Sequence, residues 1–193
     1  MVLPRWKSRD GPVAVWLRGD APPERLYRRT GRAARALPYQ IMNELPRRKY
    51  IRLPPEAYAN PANIFYLTID ALLRQRFFSR KVFNDAIVAQ LRLLAEEKRC
   101  PVKVYCLMPT HLHLLISPGL ASVVEWVKLF KQFTQFLASQ QGMAKLWQRS
   151  FFDHRIRSTE SLAEIIEYIR ANPVRAGLVE HPDEWPWTGS VVW

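Results

Sequence analysis

The spacing of hydrophobic residues beyond the first quarter of the chain predicts alternating strands and helices. Ile64–Ile69 is a β-branched and aromatic run bounded by turn-forming residues, which indicates a strand. From Lys81 to about Lys98, apolar residues recur at helical spacing and predict a helix with one buried face. Pro101–Leu107 and His111–Ile116 then alternate as two strands, and the turn at Met108–Thr110 joins them into an antiparallel hairpin.

A second long helix is predicted after this hairpin. Ser122, with Glu125 three residues later, has the form of a capping box. The apolar stripe that follows continues to Leu137 with the period of an amphipathic helix. Trp147–Arg157 mixes aromatic and basic residues and predicts a strand with an irregular start.

The last helix is predicted to begin at a cap formed by Ser158 or Thr159. It should end near Asn172, because Pro173 is disfavoured inside a helix. Trp185–Trp187 is expected to fold back as irregular cover. The order β-α-β-β-α-β-α predicts an α+β fold, a ferredoxin-like antiparallel sheet with helices mainly on one face.

The amino-acid composition separates an N-terminal segment from the rest of the chain, and the net charge suggests a binding partner. Residues 1–45 are rich in proline and arginine without any period, which predicts a basic N-terminal arm before a folded domain at 46–193. With 29 Lys+Arg against 17 Asp+Glu, the net charge is +12, so a polyanion is expected: nucleic acid first, an anionic membrane surface second. No membrane-spanning run or signal peptide is apparent, and we expect a cytoplasmic location.

Two histidines of the predicted hairpin are candidate metal ligands. Side chains alternate along a strand, so His111 and His113 should lie on one face while Leu112 and Leu114 lie on the other. Two imidazoles with Cβ atoms about 7 Å apart can converge on one divalent ion. The alternative is a pair of ordinary histidines on a solvated face.

Tyr168 and Asn172 lie four residues apart in the last predicted helix, and therefore on one face. A tyrosine hydroxyl can act as a nucleophile toward phosphorus. An asparagine side chain can lend a neutral oxygen to a hard metal ion. The alternative is a packed phenol ring and an ordinary helix-ending residue.

Several basic residues and histidines are candidates for nucleic-acid contacts, and nearby aromatic rings can stack on unpaired bases. The rings are Trp147, Phe151 and Phe152, of which several must also serve the core. The predicted contacts rest more on the charged side chains than on these rings. The charged candidates are Arg47, Arg48, Lys49, Arg52, Lys128, Lys131, Arg149, His154, Arg155, Arg157, Arg170 and Arg175.

Three segments together resemble the single-tyrosine HUH transposases, and within them the REP-associated tyrosine transposases. They are Met108–Leu115, Trp147–Phe151 and Tyr168–Val179, and the resemblance spans about residues 47–190. Two residues depart from the pattern. Thr110 stands where an asparagine is frequent, and Leu67 stands where a histidine often follows the tyrosine of the first strand.

The resemblance implies a ferredoxin-like endonuclease that cuts single-stranded DNA near a hairpin and forms a 5′-phosphotyrosyl intermediate. It implies Tyr168 as the nucleophile, His111 and His113 as metal ligands, and Asn172 at the position of a third polar ligand. The implied metal is Mg²⁺ or Mn²⁺, without a small-molecule cofactor, in a monomer or a homodimer. Two alternatives remain: a non-catalytic binder of structured nucleic acid, and a metal-dependent nuclease that processes RNA.

Overall fold

The computed structural model of the chain describes residues 52–192. The predicted N-terminal arm and three of the candidate basic residues, Arg47, Arg48 and Lys49, lie outside the described residues. The described part of the chain contains no helix long and apolar enough to cross a membrane.

Five strands form one antiparallel sheet in the order β4-β1-β3-β2-β5. The first four are the strands of the predicted ferredoxin-like pattern, so the predicted α+β fold is confirmed. The fifth strand was not predicted; it pairs with β2 at the edge of the sheet. The strands are β1 (Phe65–Asp70), β2 (Val102–Met108), β3 (His111–Ile116), β4 (Phe152–Arg155) and β5 (Thr188–Val191).

In the described range, two long helices and three short ones accompany the sheet. Their bounds are α1 (Pro55–Ala59), α2 (Lys81–Glu97), α3 (Val123–Ser139), α4 (Leu162–Arg170) and α5 (Asn172–Arg175). Single turns of 3₁₀ helix occur at Leu72–Arg74 and Pro182–Glu184.

The N-terminal caps of α3 and α4 can be compared with the caps predicted from the sequence. Ser122 caps α3 as predicted, since its side chain accepts a hydrogen bond from the Glu125 amide at 3.2 Å. The cap of α4 is Ser161, which accepts from the Glu164 amide at 3.3 Å, so the prediction of Ser158 or Thr159 is wrong. A turn at residues 158–160 precedes that cap, because Glu160 bonds back to the Arg157 amide.

The predicted end of the last helix is correct to within two residues. α4 ends at Arg170, and Pro173 lies in the first turn of the separate helix α5. A proline is tolerated there because the first amides of a helix have no intrahelical acceptor. The chain therefore turns at Ala171 and continues as a second short helix.

The sheet buries different residues on its two faces. On one face, side chains such as Phe65, Leu67 and Leu114 pack against α2 and α3 in the main hydrophobic core. On the opposite face, a smaller cluster including Leu115 and Ile169 packs beneath α4. Both long helices lie on the first face, as predicted.

Two irregularities separate the strands from their predicted form. A register shift between Val102 and Val104 puts these two residues on opposite faces of the sheet, although simple alternation would put them on the same face. The fourth strand begins at Phe152, not at Trp147. Trp147 instead forms an isolated bridge with Ala71 and is buried in the main core, where its Nε1 donates to the Thr134 hydroxyl.

Candidate active site

His111 and His113 lie on the face of the sheet opposite the long helices, as the alternation predicted. Their Nε2 atoms are 2.9 Å apart, and the rings are nearly perpendicular at 82°. Two ligand atoms at right angles around an ion, each about 2.1 Å from it, would be about 3 Å apart. The two nitrogens therefore already have the separation that adjacent ligands of one metal ion require.

The opposite ring nitrogens are held by hydroxyl groups. The Nδ1 atom of His113 lies 2.8 Å from the Tyr66 hydroxyl and 3.1 Å from that of Thr68. The Nδ1 atom of His111 lies 2.8 Å from the Thr110 hydroxyl. Such partners fix ring orientation around a metal, so Thr110, at the position where asparagine is frequent, still supplies a polar group to His111.

Burial keeps both imidazoles neutral. Desolvation lowers the pKa of His111 to about 3, with a smaller contribution from the charge of Arg74. The pKa of His113 lies well below its ordinary value, first through burial and then through the charges of His111 and Arg175. A neutral imidazole keeps a nitrogen lone pair, which is the form that binds a metal ion.

Tyr168 lies near the end of α4 and packs against the smaller cluster that contains Tyr66. The guanidinium carbon of Arg175 lies 3.9 Å from the centre of the Tyr168 ring, a cation–π contact. Burial raises the pKa of the Tyr66 hydroxyl, and negative charge on Tyr168 would raise it further. Tyr168 is thus electrostatically linked to the hydroxyl that holds His113.

The two tyrosines of this site differ in access. Tyr66 is only 3% exposed and its hydroxyl contacts His113, so it is placed to support the histidine ring. Tyr168 is half-buried and packs against the same cluster. Of the two side chains, that of Tyr168 is the more exposed.

Asn172 is buried and joins α4 to α5. Its amide nitrogen donates to the Tyr168 and Ile169 carbonyl oxygens at the end of α4, both at 3.1 Å. Its side-chain oxygen accepts from Arg175 at 3.0 Å and keeps a second lone pair. The hydrogen bonds of Asn172 hold the Tyr168 turn in place, and its role as a metal ligand stays a prediction.

The histidine pair is the candidate metal centre of the described residues. Within that range, no group of three or more His, Cys, Asp and Glu side chains could hold a metal ion. Two imidazole nitrogens fit two positions around an ion, and further positions would fall to oxygen atoms of other groups. Cys100 and Cys106 are buried free thiols, and burial raises the pKa of Cys106 to about 11.

Besides Arg175, which bonds to Asn172, four of the predicted nucleic-acid contacts are engaged with the chain itself. Lys131 donates to the Gln148 and Ser150 carbonyl oxygens at 2.8 and 2.9 Å, and burial lowers its pKa to about 8, with a smaller effect from Arg52. The other three form pairs with carboxylates. These pairs are Arg52 with Asp153 at 2.9 Å, His154 with Glu160 at 2.9 Å and Arg170 with Asp183 at 2.6 Å.

The remaining described candidates lie at the surface. Lys128, Arg149, Arg155, Arg157 and Arg175 are exposed and therefore accessible to a phosphate backbone. Arg175 is the one among these five that contacts Tyr168 and Asn172. It links the candidate nucleic-acid surface to the candidate nucleophile.

The support of His113 by the first strand was not predicted from the sequence. Tyr66 and Thr68 are polar at alternate positions of β1, a pattern that places both on one face. Thr68 is the direct cross-strand partner of His113, and this register depends on long-range pairing. The alternation of Tyr66 and Thr68 was visible in the sequence, whereas the pairing of β1 with β3 was not.

Comparison with known proteins decides the family. The model of the family described as "Transposase IS200 like" matches residues 68–172, more than half of the 193-residue chain. The chain belongs to this family. The matched segment runs from Thr68 to Asn172 and so contains both histidines and Tyr168. The resemblance drawn from the three sequence segments is confirmed at this level.

Named members of the IS200-like transposase family show how far the similarity extends. A Haemophilus influenzae protein named after the REP-associated tyrosine transposases is 33% identical over 96 residues, which is 43% of this chain and 54% of the relative. The REP-associated tyrosine transposase of Escherichia coli K12 is 29% identical over 90 residues, 45% of this chain and 52% of the relative. The chain thus spans about half the length of the curated relatives it matches.

A solved structure supports the fold of this IS200-like transposase family member. The structure of a REP-associated tyrosine transposase bound to a REP hairpin superimposes with a TM-score of 0.57 at 19% identity. The match covers 73% of this chain and 81% of that one. At this identity the similarity establishes the fold.

Proposed function

We propose that this chain is a metal-dependent endonuclease and strand transferase for single-stranded DNA near hairpins. Its mechanism passes through a 5′-phosphotyrosyl intermediate on Tyr168. The observation that carries the proposal is the pair of neutral imidazoles, with Nε2 atoms 2.9 Å apart, beside the cluster that includes Tyr168. The hairpin partner is suggested by the relatives' association with REP elements and by the net charge of +12.

The proposed reaction is a transfer of one phosphodiester bond. The Tyr168 hydroxyl oxygen loses its proton to solvent and attacks phosphorus in line. The bond between phosphorus and the 3′ oxygen breaks, and that oxygen leaves with a proton as a 3′-hydroxyl. Because a 3′-hydroxyl can later attack the phosphotyrosine, the same steps in reverse rejoin strands.

The protein side chains divide the work around this reaction. His111 and His113 would hold a divalent ion, and Asn172 would lend it an oxygen ligand. When bound, Mg²⁺ or Mn²⁺ supplies Lewis-acid stabilisation of charge on the phosphate oxygens. Imidazole nitrogens are softer ligands than the oxygen sets typical of Mg²⁺, so Mn²⁺ is expected to bind more tightly. Arg175 holds the Tyr168 ring and adds positive charge beside it.

The test is covalent capture of DNA. The full chain is incubated with Mn²⁺ and a 3′-labelled DNA hairpin that carries a single-stranded flank, because the strand 3′ of the cut is the one that stays on the tyrosine, and the products are separated under denaturing conditions. We expect an adduct that is absent from Tyr168→Phe and retained by Tyr66→Phe. Cleavage that survives Tyr168→Phe would refute the proposed nucleophile.

One observation favours a second candidate, a non-catalytic binder of structured nucleic acid. The polar groups of the site satisfy one another: the histidines bond each other, and Asn172 bonds its own helix and Arg175. A binder predicts salt-sensitive association with hairpin DNA, no metal requirement and no adduct. For either function we propose a cytoplasmic location and a monomer or homodimer.

A further inference from the structure

A row of aromatic rings leads from the candidate metal centre to the edge of the sheet. The His111 and His113 ring centres are 4.5 Å apart, and His113 stacks on Tyr66 with centres 5.6 Å apart and planes inclined by 20°. Tyr66 in turn contacts Phe152 edge to face, with centres 6.2 Å apart and planes at 67°. Three ring contacts therefore connect the histidine pair to Phe152.

The strand register places Phe152 on the same face as the histidines. Phe152 is the cross-strand partner of Thr68, and Thr68 is the partner of His113. Directly opposed residues of antiparallel strands project to the same side. Two strand spacings separate Phe152 from His113, which is about 10 Å across the sheet.

Phe152 is the end of this row that faces solvent. It is 48% exposed, whereas Trp147 is buried and Phe151 is half-buried, with the Arg52 guanidinium 3.9 Å above its ring. Within residues 52–192, β4 is also an edge strand of the sheet, so no further strand of this range covers Phe152 from outside. An exposed phenylalanine is common on its own. Here its ring continues the aromatic row of the candidate site.

We propose that Phe152 is a stacking platform for one unpaired base of the DNA flank, close to the phosphate that Tyr168 attacks. This inference rests on the proposed function, because it takes the bound polymer to be single-stranded DNA. A base in a duplex is stacked on both sides and cannot present its face to this ring. The platform thus selects an unpaired nucleotide at a fixed distance from the histidine pair.

The expected contribution of Phe152 to DNA affinity is large enough to measure. Stacking of one base on an aromatic side chain changes affinity by roughly 5- to 150-fold. The contact tolerates different bases, because every base presents a π face. Phe152 should therefore affect affinity for the flank without fixing its sequence.

The test uses the full chain, a chelator to prevent cleavage, and a DNA hairpin with a single-stranded flank. 2-Aminopurine is placed at each flank position in turn, because stacking on a ring quenches its fluorescence. We expect quenching at one position, its loss in Phe152→Leu and its recovery in Phe152→Tyr. Phe133→Leu is the matched control, since Phe133 is 47% exposed but belongs to α3 on the other face of the sheet.

A second readout separates stacking from a general structural effect. An abasic site at the quenched position should weaken binding by the unaltered protein as much as Phe152→Leu weakens binding of the intact flank. Combining Phe152→Leu with the abasic site should weaken binding little more than either change alone. No quenched position in the unaltered protein, or equal losses for Phe152→Leu on intact and abasic flanks, would overturn the proposal.

Failure of the stacking proposal can be distinguished from failure of the proposed function. If the Tyr168 adduct forms and the Phe152 effects are absent, the stacking platform alone is refuted. If stacking is observed and no adduct forms, the platform is supported and the chain is a binder of single-stranded DNA.

Discussion

The two faces of the sheet bury different kinds of side chain under covers of different size. Two helices of 17 residues each cover one face, where the buried residues are almost all hydrophobic. The nine-residue helix α4 covers part of the other, which also buries Tyr66, Thr68 and His113. A short cover leaves room beside it for a polymer and leaves polar groups in a desolvated environment. Stability should therefore depend mainly on the first face, and chemistry on the second.

The largest expected effect on stability comes from the first face. Phe130 is fully buried and stacks on Trp126, with ring centres 5.3 Å apart. Phe130→Ala should lower the free energy of unfolding by about 3–5 kcal/mol, because it removes apolar contacts and leaves a cavity. The exposed Phe133 on the same helix provides the control, and Phe133→Ala should cost at most about 0.5 kcal/mol. Similar losses for the two variants in urea unfolding would contradict the assigned core.

The second face should make the metal-free protein sensitive to acid. The pKa values of His111 and His113 are lowered in the folded state, so below about 6.5 the unfolded chain binds more protons than the folded one. Stability is then fully present above pH 6.5 and falls as the pH drops toward 3. We expect a loss on the order of 2 kcal/mol for each histidine between pH 7 and pH 5.

This acid sensitivity can be assigned to the pair by substitution. Urea unfolding with a chelator present should show a much flatter pH dependence for the double variant His111→Gln, His113→Gln than for the unaltered chain. An unchanged slope in the double variant would mean that other groups are responsible for it.

The smallest expected effect concerns a lysine that faces the segment leading to β4. Lys131→Met removes the ammonium that holds the carbonyl oxygens of Gln148 and Ser150, and should cost about 1–2 kcal/mol of stability. Lys128→Met changes an exposed neighbour and should leave stability within about 0.5 kcal/mol. If Lys128 contacts a phosphate, its loss should reduce the salt slope of DNA binding by about 1.

This pair of variants sharpens the division of the basic residues. A Lys131→Met protein of unaltered stability with a reduced salt slope would restore Lys131 to the nucleic-acid surface. If Lys131→Met loses stability with an unchanged salt slope, while Lys128→Met reduces the salt slope, then one lysine of α3 supports the fold and the other contacts DNA.

The local spacing of hydrophobic residues was sufficient to predict the helices and strands whose form depends on residues close by in the sequence. The stripe that begins after Ser122 and the alternation of the hairpin strands predicted α3, β2 and β3 closely, since amphipathic periods report which side faces a core. Thr188–Val191 was missed, because it is short, contains Gly189 and becomes a strand only by pairing with β2. Its partner lies about 80 residues earlier in the chain, and local spacing carries no information about that contact.

The candidate site shows the same limit. Alternation alone placed His111 and His113 on one face, and the resemblance gave Tyr168 a role. The partners of His113, Tyr66 and Thr68, come from a strand more than 40 residues away and depend on register. Asn172 had two interpretations from sequence, and the structure shows its bonds to the end of α4.

The most direct test of the account identifies the residue that becomes linked to DNA. The adduct formed with hairpin DNA and Mn²⁺ is digested with protease and nuclease, and the modified peptide is sequenced by mass spectrometry. We predict a nucleotide joined through its 5′ phosphate to Tyr168, and an unmodified Tyr66, whose buried hydroxyl has a raised pKa and contacts His113. A nucleotide on Tyr66, or DNA cut with no tyrosine modified, would contradict it.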